Sequence, residues 1–145
     1  MNQIEKAVNC FREEGFSCSQ AVFSTYSGRF GLDRETSLRL SQPFGGGMAH
    51  LGETCGAVTG AFLLIGLKYG RTRAEDIEAR ERTYGLMHTF ILKFKSIHGS
   101  IQCKCLLGLD ISTPAGINQA QEKNLFKTLC PNFVRTSAEI IEEIL

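Results

Sequence analysis

Six cysteines are the residues of this 145-residue chain with the clearest chemical potential, and they are Cys10, Cys18, Cys55, Cys103, Cys105 and Cys130. The thiolate form of cysteine is both a nucleophile and a metal ligand. Cysteines in a chain without an export signal are therefore more often reactive groups or metal ligands than partners in structural disulfides. No Cys-x-x-Cys motif is present, which excludes a thioredoxin-like local dithiol. Any disulfide would join residues distant in sequence, unless it used the Cys103-Lys-Cys105 pair.

Four of these cysteines lie at predicted helix N-termini: Cys18, Cys55, Cys103 and Cys130. Cys18 follows Ser17, a favoured N-cap residue, and Cys130 precedes Pro131, a favoured residue of the first helical turn. Free N–H groups and the positive end of the helix dipole stabilise a thiolate. We therefore expect these four cysteines to form the catalytic site. Cys10 lies in the middle of a helix and is interpreted as a packing residue.

Apolar residues recur at three- and four-residue spacing along most of the chain, as in Ile4, Ala7 and Phe11, which predicts an all-α fold. No segment alternates apolar and polar residues between turn signals, so no strands are expected. With 43% hydrophobic and 21% charged residues, residues 1–145 should form a single domain. We expect a compact bundle of roughly five to seven helices.

Turn and capping residues predict where the helices begin and end. A first helix ends before Gly15, and Asp33 caps a third. The third helix is predicted to run from Asp33 to Leu40. The other predicted ranges are Cys18 to Arg29, Glu53 or Thr54 to Tyr69, Arg73 to Ile97, Cys103 to Leu107 and Pro131 to Leu145. The Gly45–Gly47 run predicts a mobile connection. Because helix ends gather at common poles of a bundle, the four cysteines should lie in one cluster.

Gly56 and Gly60 lie four residues apart on the helix that follows Cys55. Without side chains, they let another helix or a ligand approach the backbone closely. They are thus candidate cofactor-binding residues, and tight helix packing is the compatible alternative. His50 precedes Cys55 by five residues and is a candidate base for its thiol. We expect Cys55 to be the most reactive thiol for these reasons.

The order of the motif cysteines, with the block Cys55-Gly56-Ala57-Val58-Thr59-Gly60 and the segment Phe16–Val22, resembles the C_GCAxxG_C_C family of small redox-active proteins. The resemblance covers nearly the whole chain. The family name spells Gly-Cys-Ala where this chain has Cys-Gly-Ala, and we treat the two as the same block. The resemblance implies a compact helical protein with a cysteine-based redox role. Its third cysteine corresponds to Cys103, so Cys105 departs from the family pattern.

Three functions remain open from the residues alone. The first is thiol redox chemistry, in which Cys18, Cys55, Cys103 and Cys130 exchange with disulfides or accept oxidation. The second is a metal site in which the same four thiolates bind zinc or an iron–sulfur cluster. The third is a helical scaffold or interaction domain whose cysteines are only buried. The cofactor is therefore none, zinc or an iron–sulfur cluster.

Charge and hydropathy exclude several classes of partner. A formal charge of +1 is too small for nonspecific nucleic-acid binding. The longest apolar run, Ala57 to Leu67, is shorter than the ~20 residues of a membrane span. The N-terminal residues lack the pattern of a secretory signal, so a cytoplasmic location is expected. A redox partner and a homo-oligomer are compatible with the sequence, which identifies neither.

Overall fold

Ten α-helical segments make up most of the computed structural model, which describes all of residues 1–145. They are α1 (Gln3–Arg12), α2 (Cys18–Ser27), α3 (Arg34–Ser41), α4 (Gly45–Met48), α5 (Gly56–Tyr69), α6 (Ile77–His98), α7 (Cys103–Leu107), α8 (Pro114–Glu122), α9 (Leu125–Thr128) and α10 (Cys130–Ile144). Short 3₁₀ helices cover Gly28–Phe30 and Gln42–Phe44. The predicted all-α class is confirmed. The helix count is higher than expected, even if the four-residue segments α4 and α9 are set aside.

Side-chain caps explain five of the ten helix starts. Ser17 and Gln20 form a reciprocal capping box at α2, and Asp33 accepts a hydrogen bond from Thr36 N at α3. Both predicted starts are confirmed. Helix α6 begins at Ile77 instead of Arg73, because the side chain of Asp76 caps it.

Two further differences concern α5 and the segment that follows α7. Helix α5 begins at Gly56, so Cys55 is its N-cap and not a residue of its first turn. Helices α8 and α9 were not predicted. Helix α8 nevertheless carries a recognisable start, since Thr113 caps it and Pro114 is its first residue.

Helix α5 lies at the centre of the bundle, where it packs against α2, α6 and α10. It is the most apolar helix, and Ala57, Val58, Ala61, Leu64 and Ile65 are all buried. Helix α10 crosses α1, α2, α5 and α6. At this crossing Ser137 Oγ donates a buried hydrogen bond to Ala57 O at 2.8 Å. The start of α5 is thereby tied to the helix that carries Cys130.

Helices α2 and α5 form the most extensive contact between two helices, and two glycines allow their close approach. A Cβ atom on Gly56 would lie 3.0 Å from Ser19 N, and one on Gly60 would lie 3.0 Å from Ser19 O and 3.1 Å from Val22 Cβ. The glycines therefore allow tight packing of α2 against α5, which was one of the two roles expected for them. Their contact sets the first turns of α2 and α5 side by side.

The glycine-rich connection expected to be mobile folds into a left-handed turn. Five consecutive residues, from Gly46 to His50, have positive φ angles. Hydrogen bonds close the turn, including Leu51 N to Met48 O at 3.0 Å and Glu53 N to Gly47 O at 2.9 Å. Left-handed backbone costs a non-glycine residue about 1–2 kcal/mol, and Met48, Ala49 and His50 each adopt it.

None of the helices combines the length and the apolar character that a membrane span requires.

The glycine contacts predict opposite effects for two substitutions on α5. Gly60→Ala should destabilise the protein by about 1–3 kcal/mol, because its Cβ would press on the backbone of α2. Gly66→Ala is the matched control, since no atom lies within 4 Å of the added Cβ. It should be neutral or stabilise the helix by up to about 1 kcal/mol. Urea unfolding measures both, and equal effects would contradict the packing role of Gly60.

Candidate functional site

Four cysteines from four helix N-termini line one cavity of about 330 Å³. They are Cys18, Cys55, Cys103 and Cys130, and all four are buried. Each acts on the pKa of others in the group, which indicates that their thiols lie close together. The structure therefore brings together the four cysteines selected from the sequence.

The other two cysteines lie outside this cavity. Cys10 is buried in α1, where its sulfur lies 3.9 Å from Ser24 Oγ. Burial raises the pKa of Cys10, which fits the packing role expected for it. Cys105 is exposed on α7, and its thiol donates a hydrogen bond to Gln102 Oε1 at 3.5 Å.

Cys55 and Cys103 are held together by a short backbone pairing. Thr54 and Gln102 form an antiparallel bridge. Cys55 N donates to Ile101 O at 2.7 Å, and Cys103 N donates to Glu53 O at 2.6 Å. Because alternate residues of such a pairing point to one face, both cysteines point away from the face of Thr54 and Gln102. This pairing also explains why α5 starts only at Gly56.

The left-handed turn packs directly against this pairing. A Cβ on Gly47 would lie 2.7 Å from both Cys103 Cβ and Glu53 N, so only glycine fits there. The ring of His50 lies over Gly46 and meets Phe126 edge to face, with 6.5 Å between ring centroids. His50 lines the cavity and is exposed, which places it at the mouth.

Cys18 and Cys130 form a directly interacting thiol pair. A hydrogen bond from Cys18 lowers the pKa of Cys130, whereas that same bond and burial raise the pKa of Cys18 well above its ordinary value. Within this pair Cys130 is therefore the more acidic thiol, because the Cys18 S–H group stabilises its thiolate. A second ionisation is opposed by the charge already present.

The expectation that Cys55 is the most reactive thiol is wrong for this structure. Burial raises the pKa of Cys55 to about 12, although the N–H groups of Ala57 and Val58 oppose the shift. The pKa of Cys103 also rises to about 12, through burial and the neighbouring charge of Cys130. The helix N-terminus stabilises the Cys55 thiolate less than burial destabilises it, so Cys130 is the most acidic member of the cluster.

The walls of the cavity carry no Asp, Glu, Lys or Arg side chain. Besides the cysteines, His50 is the only ionisable residue that lines it. No group of three or more His, Cys, Asp and Glu side chains is arranged to hold a metal ion. Of the two glycines predicted to bind a cofactor, Gly56 lines the cavity and Gly60 lies outside it against α2.

Sequence reasoning missed most of the aromatic wall, which includes Phe11, Phe16, Phe126 and Phe133. Phe126 lies on α9, which was not predicted, so nothing indicated its position. The three other rings are apolar residues of ordinary helical spacing, and only their tertiary placement separates them from core residues. Gln20 could have been found, because it is the third residue of the α2 capping box and also lines the cavity.

The buried thiols predict a loss of stability in alkali. Cys55 and Cys103 remain protonated in the folded protein up to a pKa of about 12, whereas an unfolded thiol ionises near pH ~8.5. The folded state then holds more protons than the unfolded state, so stability falls as pH rises above that value. Each such thiol should contribute a slope of about 1.4 kcal/mol per pH unit.

Urea unfolding of the reduced protein at about pH 8 and about pH 10 measures this slope. Cys103→Ser should lose less stability over that interval than the wild type does. Cys105→Ser is the control and should match the wild type, because Cys105 is exposed. Equal alkaline losses in wild type and Cys103→Ser would contradict the raised pKa.

Comparison with known proteins gives one match. A search of curated proteins and a search of solved structures each find none. The family model described as "Putative redox-active protein (C_GCAxxG_C_C)" matches residues 16–144. That range includes all four cysteines of the cavity, together with the helices that position them. The chain therefore belongs to the C_GCAxxG_C_C family.

Proposed function

We propose that the protein is a thiol–disulfide oxidoreductase in which Cys130 attacks and Cys18 resolves. The observation that carries this proposal is that the Cys18 and Cys130 thiols line one buried cavity, where the neighbouring Cys18 thiol lowers the pKa of Cys130. A nucleophilic thiol with a lowered pKa and an adjacent second thiol is the arrangement that disulfide exchange requires. The redox-active description of the family agrees with this chemistry.

The reaction proceeds in two exchanges. The Cys130 thiolate attacks one sulfur of a substrate disulfide, forms a mixed disulfide and releases the other half as a thiolate. The Cys18 sulfur then attacks the Cys130 sulfur and displaces the second half. The Cys18 proton and one proton from solvent convert the two released thiolates to thiols. The substrate gains two electrons, and the protein is left with a Cys18–Cys130 disulfide.

Cys55 and Cys103 complete the proposed site as protonated thiols. Burial, and to a smaller extent the negative charge of Cys130, raises the pKa of both, so these two thiols stay protonated when Cys130 ionises. Because Cys55 and Cys103 stay protonated, the negative charge of the cluster remains on Cys130. We place the reaction in the cytoplasm, where a reducing environment regenerates the dithiol.

The first test concerns which thiol is the nucleophile. Iodoacetamide labelling over a pH series, with each cysteine followed by peptide mass spectrometry, should show Cys130 labelled at lower pH than the other three cavity thiols. Cys18→Ala removes the S–H donor, so labelling of Cys130 at neutral pH should slow by about tenfold or more.

The control for this test is Cys10→Ala, which removes a buried thiol outside the cavity. It should leave the labelling profile of Cys130 unchanged. Faster labelling of Cys55 than of Cys130, or an unchanged Cys130 profile in Cys18→Ala, would contradict the assigned roles.

The second test traps the intermediate. With one equivalent of a disulfide reagent, the wild-type protein should form a Cys18–Cys130 disulfide and release two thiols. Cys18→Ser should stop at a mixed disulfide on Cys130, and Cys130→Ser should give neither product. The start of α2 should be preserved in Cys18→Ser, because its cap, Ser17, is unchanged. Cys105→Ser serves as the control that retains all four cavity thiols.

Metal analysis of anaerobically purified protein separates this function from the metal-binding alternative. Stoichiometric zinc or iron, together with a loss of several kcal/mol of stability in Cys55→Ser, would favour a metal site over redox exchange. Metal-free protein that completes the two exchanges would support the oxidoreductase.

A further inference from the structure

We infer that the cavity selects a small, uncharged and mainly apolar disulfide as its substrate. This inference rests on the proposed function and specifies its substrate class. It is carried by the composition of the cavity walls, by the hydrogen bonds that already occupy the polar side chains there, and by the lack of Asp, Glu, Lys and Arg side chains in the lining.

The rest of the hydrophobic lining is mostly aromatic. Six side chains form it: Phe11, Phe16, Leu106, Leu107, Phe126 and Phe133. Such a wall interacts favourably with aromatic or aliphatic groups and offers nothing to a carboxylate or an ammonium group. A volume of about 330 Å³ admits a small molecule and is too small for a folded partner.

The polar side chains of the lining are largely occupied by the protein itself. Gln20 Oε1 accepts from Ser17 N at 3.1 Å, and Gln20 Nε2 donates to Leu38 O at 3.0 Å. Ser17 Oγ caps α2 and also hydrogen bonds Ser19 Oγ at 3.1 Å. These groups therefore have little hydrogen-bonding capacity left to replace the hydration of a charged substrate.

Arg34 is a cation close to the lining, although it does not itself line the cavity. Its guanidinium carbon lies 5.6 Å from the centroid of the Phe16 ring, and it forms an ion pair with Glu14 at 3.1 Å. A neighbouring cavity of about 340 Å³, which shares Ser17, Gln42, Gly46 and His50 with the first, also lacks Asp, Glu, Lys and Arg side chains. A charged substrate would thus lose hydration along this route without meeting a Lys, Arg, Asp or Glu partner.

The test compares two disulfides that each release an aromatic thiolate and that differ in charge. One is neutral 4,4′-dipyridyl disulfide, and the other is the dianion 5,5′-dithiobis(2-nitrobenzoate). Rates of modification are measured separately at Cys130 and at exposed Cys105 of the same molecule by mass spectrometry. The ratio at Cys105 corrects for the intrinsic reactivity of each reagent. The preference for the neutral reagent should be about tenfold or more greater at Cys130, because a charged reagent must be desolvated there.

A positive charge introduced at the cavity mouth should reduce this preference for the neutral reagent. Gln42 lines both cavities and is exposed, so Gln42→Lys should place a cation on the entry route. It should raise the rate of the dianion relative to the neutral reagent at Cys130 by about tenfold. Gln42→Met is the matched control of similar length and should keep the wild-type ratio. A thermal melt of each variant verifies that it is folded.

The outcomes distinguish the substrate class from the function. If both reagents show the same ratio at Cys130 and Cys105 and still yield the Cys18–Cys130 disulfide, the inferred substrate class is wrong and the oxidoreductase stands. If neither reagent yields that disulfide in folded wild-type protein, the proposed function fails and the substrate class fails with it. A neutral preference confined to Cys130 and altered by Gln42→Lys supports both.

Discussion

The contact between the first turns of α2 and α5 is the constraint on which the rest of the site depends. Because Gly56 and Gly60 have no side chains, the backbone of α5 packs directly against Ser19, the residue after Cys18. Once the two helices are fixed in this way, Cys18 and Cys55 must face the same cavity. The pairing of Thr54 with Gln102 then adds Cys103, and the bond from Ser137 to Ala57 orients the helix that begins with Cys130. Cys18, Cys55 and Cys103 are therefore positioned by backbone contacts next to them, whereas the helix of Cys130 is held through the buried Ser137 side chain.

The electrostatics of the cavity follow from the lack of Asp, Glu, Lys and Arg side chains around the thiols. Reactive thiolates in proteins are commonly stabilised by a nearby cation, a metal or an exposed helix N-terminus. Here no Lys or Arg side chain lines the cavity, and burial opposes ionisation at Cys55 and Cys103. Charge is stabilised mainly by the neighbouring thiol of Cys18. Cys130 is thus the most acidic thiol, Cys18 stabilises its charge, and Cys55 and Cys103 remain neutral.

Sequence reasoning located the helix starts that carry cysteines because capping residues are local signals. Ser17 before Cys18 and Pro131 after Cys130 both mark the starts of helices that the structure contains. The ranking of the thiols was not available from the sequence, because the pKa of Cys55 is set by burial and that of Cys130 by contact with a residue far away in the chain. The left-handed turn was also missed. Three glycines in a row indicate flexibility as readily as they indicate this rare conformation, and only the packing of Gly47 on Cys103 decides between them.

The positions of Cys18 and Cys130 near opposite ends of the sequence also link oxidation to the topology of the chain. A disulfide between them would enclose residues 19–129, which contain helix α5 and most of the core. Closing a loop of that length lowers the entropy of the unfolded chain by an amount equivalent to about 4–5 kcal/mol in the chain-entropy account. The oxidised protein would then be the more resistant form to denaturation and proteolysis, and reduction would make it easier to unfold. The oxidation state of these two sulfur atoms would therefore also determine how strongly the whole fold resists unfolding.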